Sequence, residues 1–445
     1  MIFGHLDPRR FNALAGYSRS PEITLISDEI AWFADPEERV LGVLICDLID
    51  HDYGWVVLGR DGVDRYRAVD VMTSYATADE AEDGLMEAMR KAYTEANTPF
   101  LQGDEPNAAI DFFAPVIRTE RRHQSFEFLR SEHRFSPARE IITAMMRYHD
   151  DIDGNFVENF QASGFDARIW ELYLWATFTE LGFVRNSQAQ VPDLILRSVR
   201  GRIAIEATTI NPSDNGEPAP ATEDEAREYL DNYVPIRIAN ALRKKLNRKP
   251  PYWEDAELKG VPFCIALQDF HAPMSMQRIV YCATLYVFGY HHSLVDGKVQ
   301  PLKAKVHRFG KLKARSGFFD LEEAKNVSAI ILNPQGTMPK FNRLGFAADF
   351  GSNDIKMVRQ GMQRNENNPV SPMPTAFRHV VDKSYDEKWV EGMVVLHNPN
   401  ALNPLDPELI PGAAHEFLQE DGRINSLLPK FHPMFSQTEF VNDNN

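Results

Sequence analysis

The sequence has little cysteine and no long apolar segment. Its three cysteines, Cys46, Cys264 and Cys282, form no C-x-x-C pair, so neither a disulfide framework nor a structural zinc site is expected. No apolar run approaches the roughly 18 residues of a membrane span, and the first ten residues lack the apolar centre of a signal peptide. We therefore expect a cytoplasmic protein with no membrane partner.

Several familiar catalytic motifs are also missing. The chain contains no G-x-x-x-x-G-K-[ST], G-x-S-x-G, H-E-x-x-H or G-x-G-x-x-G pattern. These patterns mark phosphate-binding loops, serine nucleophiles at a strand–helix turn, zinc peptidase helices and dinucleotide-binding turns. The sequence thus gives no indication of those four classes.

Basic residues are outnumbered, yet they are concentrated in two places. With 64 acidic and 48 basic residues the net charge is −16, which argues against a protein that coats nucleic acid. Residues 236–249 contain six basic residues and no acid, and residues 298–315 contain seven and no acid. Each run is either a solvated face or a phosphate-binding surface, and the candidate contacts are Arg243, Lys244, Arg248, Lys249, Lys303, Lys305, Lys311 and Lys313.

Residues 166–182 predict a buried helix that carries one acid. Asp166 is a plausible N-cap and Gly182 a plausible C′ glycine. The residues between them are apolar on nearly all sides, as in a helix enclosed by protein. Glu171 is the only acid between Asp166 and Glu180. A carboxylate in such a helix needs a cation or a strong donor nearby.

A tight β-hairpin is predicted next, from Val191–Arg197 and Arg202–Thr209 around a turn at 198–201. If the two-residue loop is 199–200, Asp193 lies opposite Glu206. If the loop is 200–201, Asp193 faces Thr208 and Glu206 is one diagonal step away. Like charges facing each other destabilise a sheet, so the pattern favours a divalent-metal site.

Helix Glu171, then Pro192-Asp193, then Glu206-x-Thr208 resembles the PD-(D/E)XK (restriction-endonuclease-like) nuclease superfamily over roughly residues 165–270. The resemblance implies a mixed sheet flanked by helices and phosphodiester cleavage that depends on Mg²⁺ (or Mn²⁺). It implies that Asp193, Glu206 and the Ala207 carbonyl hold the metal and that Glu171 joins them.

The sequence departs from the family at Thr208, where the family usually has lysine. Some members of the superfamily carry this lysine on the following helix. We expect a helix over 235–248 and assign the role to Lys245, with Lys244 as the alternative.

The predicted fold class is α/β (α+β), with a restriction-endonuclease-like mixed sheet as its core. We expect an N-terminal α+β domain over 1–105, a helical connector over 106–160, the nuclease-like core over 161–400 and a C-terminal tail over 401–445. A protein partner or a second copy of the chain would bind through the N-terminal domain.

The expected function is metal-dependent hydrolysis of nucleic acid, with DNA as substrate and Glu171, Asp193, Glu206 and Lys245 as catalytic residues. Two alternatives stay open. One is a nuclease-like fold that has lost catalysis and serves as a nucleic-acid-binding or assembly subunit. The other is an unrelated small-molecule enzyme that uses the same carboxylates.

Overall fold

The computed structural model of the chain is a mixed α+β fold built on several sheets. It describes residues 3–105, 111–149, 154–186, 191–214, 216–295, 298–365, 368 and 373–441. None of the helices in these ranges is long and apolar enough to span a bilayer.

The N-terminal part is an antiparallel sheet covered by one long helix. The sheet has the order β1-β2-β3-β4-β5 and consists of β1 (Gly4–His5), β2 (Ser27–Ala34), β3 (Val40–Asp47), β4 (Tyr53–Arg60) and β5 (Tyr66–Tyr75). Helix α1 is Pro8–Ala15, and α2 is Ala78–Glu95, which begins where the Thr77 side chain accepts a hydrogen bond from the Glu80 amide. Leu85 and Met89 of α2 pack on one face of this sheet. Leu41 and Val43 of β3 belong to a second hydrophobic cluster that also contains most of residues 165–180, and we call this cluster the main core.

Three short helices connect this sheet to the core: α3 (Gln124–Ser131), α4 (Ser136–Met146) and α5 (Phe156–Gln161). Phe126 of α3 and Phe160 of α5 are fully buried in the main core, whereas Phe128 of α3 is exposed. The helices therefore belong to the main core, where α4 packs against α10 and α5 against α6.

The elements that form the first half of the central sheet follow in chain order. They are α6 (Phe165–Glu180), β6 (Val184–Arg185), β7 (Leu194–Ser198), β8 (Gly201–Ile210), α7 (Glu223–Glu228), a π-helical turn (Tyr229–Tyr233), α8 (Val234–Leu246), β9 (Phe263–Asp269) and α9 (Ile279–Phe288). Helix α6 is buried nearly all round, as its apolar composition predicts.

The remaining elements are two hairpins, the second half of the central sheet and a small third sheet. They are β10 (Tyr290–Val295), β11 (Lys298–Lys303), β12 (Val306–Phe309), β13 (Leu312–Arg315), β14 (Ala329–Leu332), α10 (Met338–Ala347), β15 (Met357–Gln363), β16 (Thr375–Val381), β17 (Val394–His397), β18 (Ala414–Leu418), β19 (Ile424–Leu427) and β20 (Pro433–Phe440). Strands β16, β15 and β20 form the third sheet.

The central sheet has eight strands in the order β19-β18-β17-β14-β9-β8-β7-β6. Strands β6, β7 and β8 are antiparallel, whereas β8, β9 and β14 run parallel. One face carries Ile203 and Ile205 and packs with α6. The other face carries Ala204 and Ile265 and packs with α8 and α9. The sheet is thus flanked by helices on both faces.

Two sequence predictions are wrong. Residues 401–445 are predicted to be a tail, but β18 pairs with β17, β19 pairs with β18, and β20 pairs with β15. Short strands next to an existing sheet edge are stabilised by that edge, which local sequence does not reveal. Asp166 is predicted to be the N-cap of α6, but the cap is Gly164 and Asp166 lies in the first turn. The predicted C′ residue Gly182 does adopt a left-handed conformation, with φ of 81°.

Candidate active site

The β7–β8 hairpin adopts the register that places Asp193 beside Glu206. Ser198 pairs with Gly201 and Leu194 with Ile205, so residues 199–200 form the loop. Asp193 precedes β7 by one residue. Its amide donates to Glu206 Oε2 over 3.3 Å, and its Oδ2 accepts a 2.8 Å hydrogen bond from the Ala207 amide. The alternative register, with Asp193 facing Thr208, is therefore excluded.

Helix α8 brings Lys245 to this pair of carboxylates. Lys245 Nζ lies 2.5 Å from Glu206 Oε1. Leu242 and Leu246 are buried against the sheet, and Lys244 is exposed. Successive helix residues project about 100° apart, so only one of the two lysines can lie beside Glu206. That residue is Lys245.

Glu171 approaches the same site from α6. Its carboxylate accepts a 2.6 Å hydrogen bond from Arg168, three residues earlier on the helix. Burial raises the pKa of Glu171, Arg168 opposes the rise, and the negative charge of Glu206 adds to it. Glu171 is thus within electrostatic reach of Glu206. We call Glu171, Asp193 and Glu206 the acid cluster.

The pKa of Asp193 is strongly raised. Burial raises its pKa to about 8, with further contributions from the charges of Glu206 and Glu171. Lys245 and the Ala207 amide oppose this rise. Without an additional cation, Asp193 therefore keeps its proton at neutral pH, and a bound cation would favour its ionised form.

The cluster offers the ligand type that Mg²⁺ and Mn²⁺ prefer, carboxylate oxygen in a partly buried setting. Asp193 and Glu206 are hydrogen-bonded neighbours. Burial and then the charges of Glu206 and Glu171 raise the pKa of Asp193, and a divalent ion would offset those charges. Within the described ranges, no group of three or more histidine, cysteine, aspartate or glutamate side chains is arranged to hold a metal ion. Glu171 is therefore not placed to share an ion with Asp193 and Glu206, and that pair would need other oxygen ligands to hold one.

Three further residues contact the cluster, and sequence reasoning missed them. Arg168 pairs with Glu171, and Arg185 of β6 donates to the Asp193 carbonyl over 3.3 Å. The Tyr252 hydroxyl is hydrogen-bonded to Glu206, and burial together with that carboxylate raises the pKa of Tyr252. Of these three residues, only Arg168 could have been found from sequence, because it lies three residues before Glu171 on a predicted helix.

The candidate nucleic-acid contacts from the first basic run lie on or just after α8. Arg243 donates to the Arg315 carbonyl over 3.0 Å. The Arg248 guanidinium lies 4.9 Å from the centre of the Tyr252 ring. Lys244 and Lys249 are exposed. This run therefore extends from the acid cluster towards β13.

The contacts from the second run lie on β11 and around the β12–β13 hairpin. Lys305, Lys311 and Lys313 are exposed. Lys303 is exposed as well, but it forms a 3.3 Å ion pair with Asp320. The hydrogen bond from Arg243 to Arg315 makes the two basic runs neighbours.

Comparison with known proteins finds no matching family model, no matching curated protein and no matching solved structure. The functional argument therefore depends on the residues and geometry of this chain.

Proposed function

We propose that the protein hydrolyses phosphodiester bonds of nucleic acid, with DNA as the substrate, in a reaction that requires Mg²⁺ or Mn²⁺. The observation that carries the proposal is the contact of Lys245 with Glu206, beside Asp193. The β7–β8 hairpin supplies Asp193 and Glu206, and α8 supplies Lys245. The mixed sheet flanked by helices is also what the resemblance to the PD-(D/E)XK superfamily implies.

Asp193 and Glu206 would hold the ion, with the Ala207 carbonyl as a further oxygen ligand. When bound, the ion supplies Lewis-acid chemistry, because it stabilises negative charge that develops on the phosphoryl oxygens. To bind it, Asp193 must release the proton that it holds at neutral pH. Ion binding and proton release are therefore coupled at this residue.

Lys245 would act on the reacting groups directly. Its ammonium group lies at the edge of the cluster and is only partly exposed. There it can orient the attacking water or hold the scissile phosphate, and a fixed cation in a partly desolvated site stabilises a developing negative charge strongly. Glu171, held by Arg168, would orient a water or a second ion from the α6 side.

The test is a cleavage assay on plasmid and single-stranded DNA with the purified chain. We expect cleavage with Mg²⁺ or Mn²⁺, none with EDTA, and a loss of about 100-fold or more in Glu206→Gln. Asp224→Asn, which changes an exposed acid on α7, is the control and should cleave like wild type.

A nuclease-like fold without catalysis is the second candidate, and Thr208 at the position of the family's lysine favours it. In that case the wild-type chain would bind DNA but leave it intact under every divalent ion tested. Cleavage that is abolished by Glu206→Gln but not by the control contradicts this candidate.

A further inference from the structure

The β12–β13 hairpin places basic side chains where they do not help it fold. Arg308 lies directly opposite Lys313, and Val306 opposite Arg315. Directly paired residues project from the same face of a ladder, so Arg308, Lys313 and Arg315 share one face, and all three are exposed. Like charges facing each other destabilise a hairpin. Folding of the hairpin therefore does not explain these charges.

The opposite face fixes the hairpin to the π-helical turn before α8. The buried His307 ring donates to the Asp231 carbonyl over 2.8 Å and contacts Ser316 Oγ at 2.9 Å. The Arg308 amide donates to Asn232 Oδ1 over 3.1 Å. The charged face is thus held in one orientation, which reduces the entropy lost when it binds a partner.

One turn of α8 connects this face to the acid cluster. Arg243 donates to the Arg315 carbonyl, and Lys245, two residues later, contacts Glu206. Arg243 and Lys245 flank the buried Leu242, and Lys244 points outward between them. The hairpin and the cluster therefore lie on the two sides of one helix, whose diameter with side chains is about 10–12 Å.

We propose that the β12–β13 hairpin binds the backbone of duplex DNA and holds the strand a few nucleotides from the phosphate at Glu206. This inference rests on the proposed function and names the element that grips its substrate. A basic path runs from Arg308, Lys313 and Arg315 over the exposed Lys244 to Lys245. The hairpin and Glu206 are separated by the width of α8, which corresponds to about three nucleotides at 3.4 Å per nucleotide.

The shape of the hairpin favours a duplex over a single strand. A two-stranded ribbon fits the B-DNA major groove, which is about 12 Å wide, whereas the major groove of an RNA duplex is too narrow for protein side chains to read. Proteins that bind single strands stack bases on aromatic rings. Phe309, the aromatic residue of β12–β13, packs against Tyr233 with ring centres 5.1 Å apart.

The test compares two variants that each lose one arginine and one lysine. Arg308→Ala/Lys313→Ala removes the facing pair of the hairpin, and Arg90→Ala/Lys91→Ala removes two exposed charges from α2. Binding to a fluorescein-labelled duplex is measured by anisotropy in EDTA over a range of salt concentrations. For the hairpin variant we expect about tenfold weaker binding at low salt and a salt slope reduced by about 1.8, from two lost phosphate contacts. The α2 variant should bind like wild type.

A melting curve and a single-stranded probe complete the test. The hairpin variant should melt at or above the wild-type temperature, because the repulsion between Arg308 and Lys313 is removed. The inference would be overturned if the hairpin variant and the α2 variant lost equal affinity for the duplex. It would also be overturned if the hairpin variant lost as much affinity for single-stranded DNA as for duplex. Because EDTA prevents metal-dependent cleavage, a wild type that binds through the hairpin but never cleaves contradicts the proposed function and leaves this inference standing.

Discussion

At the scale of single residues, the site depends on which cation lies beside each of its three acids. Lys245 contacts Glu206, Arg168 contacts Glu171, and burial with two neighbouring charges raises the pKa of Asp193 to about 8. Sequence pointed to Asp193, Glu206 and Lys245 through the resemblance to the nuclease superfamily, and strand alternation left two registers open for the first pair. It could not predict Arg185 or Tyr252, whose contacts depend on tertiary packing.

The raised pKa of Asp193 predicts a stability that falls as the pH rises. The native chain holds this proton up to about pH 8, whereas the unfolded chain releases it near the ordinary aspartate pKa of 3.8. The native state thus binds more protons between these two values, and the free energy of unfolding decreases with pH across that window. Asp193→Asn should show less of this decrease than wild type in urea unfolding from pH 4 to 9. Identical pH profiles would contradict the assignment.

The same proton predicts the pH dependence of metal binding. Mg²⁺ must displace it from Asp193, so the affinity should increase as the pH rises towards about 8 and should level off above that value. Isothermal titration at pH 7 in buffers of different ionisation enthalpy should detect proton release in wild type and less in Asp193→Asn. Binding without proton release would place the ion elsewhere.

A rescue experiment tests whether Lys245 has taken over from the missing lysine at position 208. Thr208 is half-buried and lies two residues after Glu206 on β8, so both side chains project from the same sheet face. Adding Thr208→Lys to Lys245→Ala should return a cation to Glu206 and recover part of the cleavage rate. Thr208→Ser in the same background is the control and should recover none.

At the scale of elements, sequence predicted α6 and the β7–β8 hairpin and missed the strands within residues 401–445. The long apolar run of α6 and the two β-rich runs of the β7–β8 hairpin indicated these elements, and one of the two registers left open for the hairpin is the register observed. Strands β18 and β19 have five and four residues. That length holds too few alternating positions to distinguish a strand from a loop, so their pairing with β17 was not predictable.

Helix α6 is tied to the sheet by Trp170, which is fully buried and whose indole N–H donates to the Ala266 carbonyl of β9 over 3.1 Å. Trp170→Phe should leave that acceptor unpaired and open a cavity, which destabilises the fold by about 2–4 kcal/mol. Trp175→Phe, on the same helix but nearer the surface, should cost less. Urea unfolding of both variants measures the difference.

At the scale of the whole molecule, a buried ionic network joins α10 to the third sheet. Glu387 is fully buried and contacts Lys340 and Arg343 of α10 and Arg359 of β15 at 3.0, 2.7 and 3.4 Å. These cations hold the pKa of Glu387 well below its usual range, despite burial. Sequence could not predict the network, because charged residues this far apart in the chain look like surface residues.

Removing the charge of Glu387 should therefore destabilise the fold strongly. Glu387→Gln leaves buried cations uncompensated, and we expect a loss of about 3–5 kcal/mol at pH 7. The loss should shrink as the pH falls from the ordinary value of 4.5 towards the lowered pKa of the native state, because the stabilising contribution of the acid is lost over that window. Asp386→Asn is the matched control, because Asp386 forms only an exposed ion pair with Lys388. An equal effect of the two changes on urea unfolding would contradict the account.

The central claim is that Lys245 and the acid cluster form a hydrolytic site. It is tested most directly by single-turnover cleavage of duplex DNA in Mg²⁺ with Lys245→Ala and Lys244→Ala. The two variants lose the same charge from adjacent positions, but only Lys245 contacts Glu206. We predict that Lys245→Ala lowers the cleavage rate by about 100-fold or more at saturating protein, and that Lys244→Ala cleaves at the wild-type rate and only binds more weakly. Wild-type cleavage by Lys245→Ala would contradict the claim.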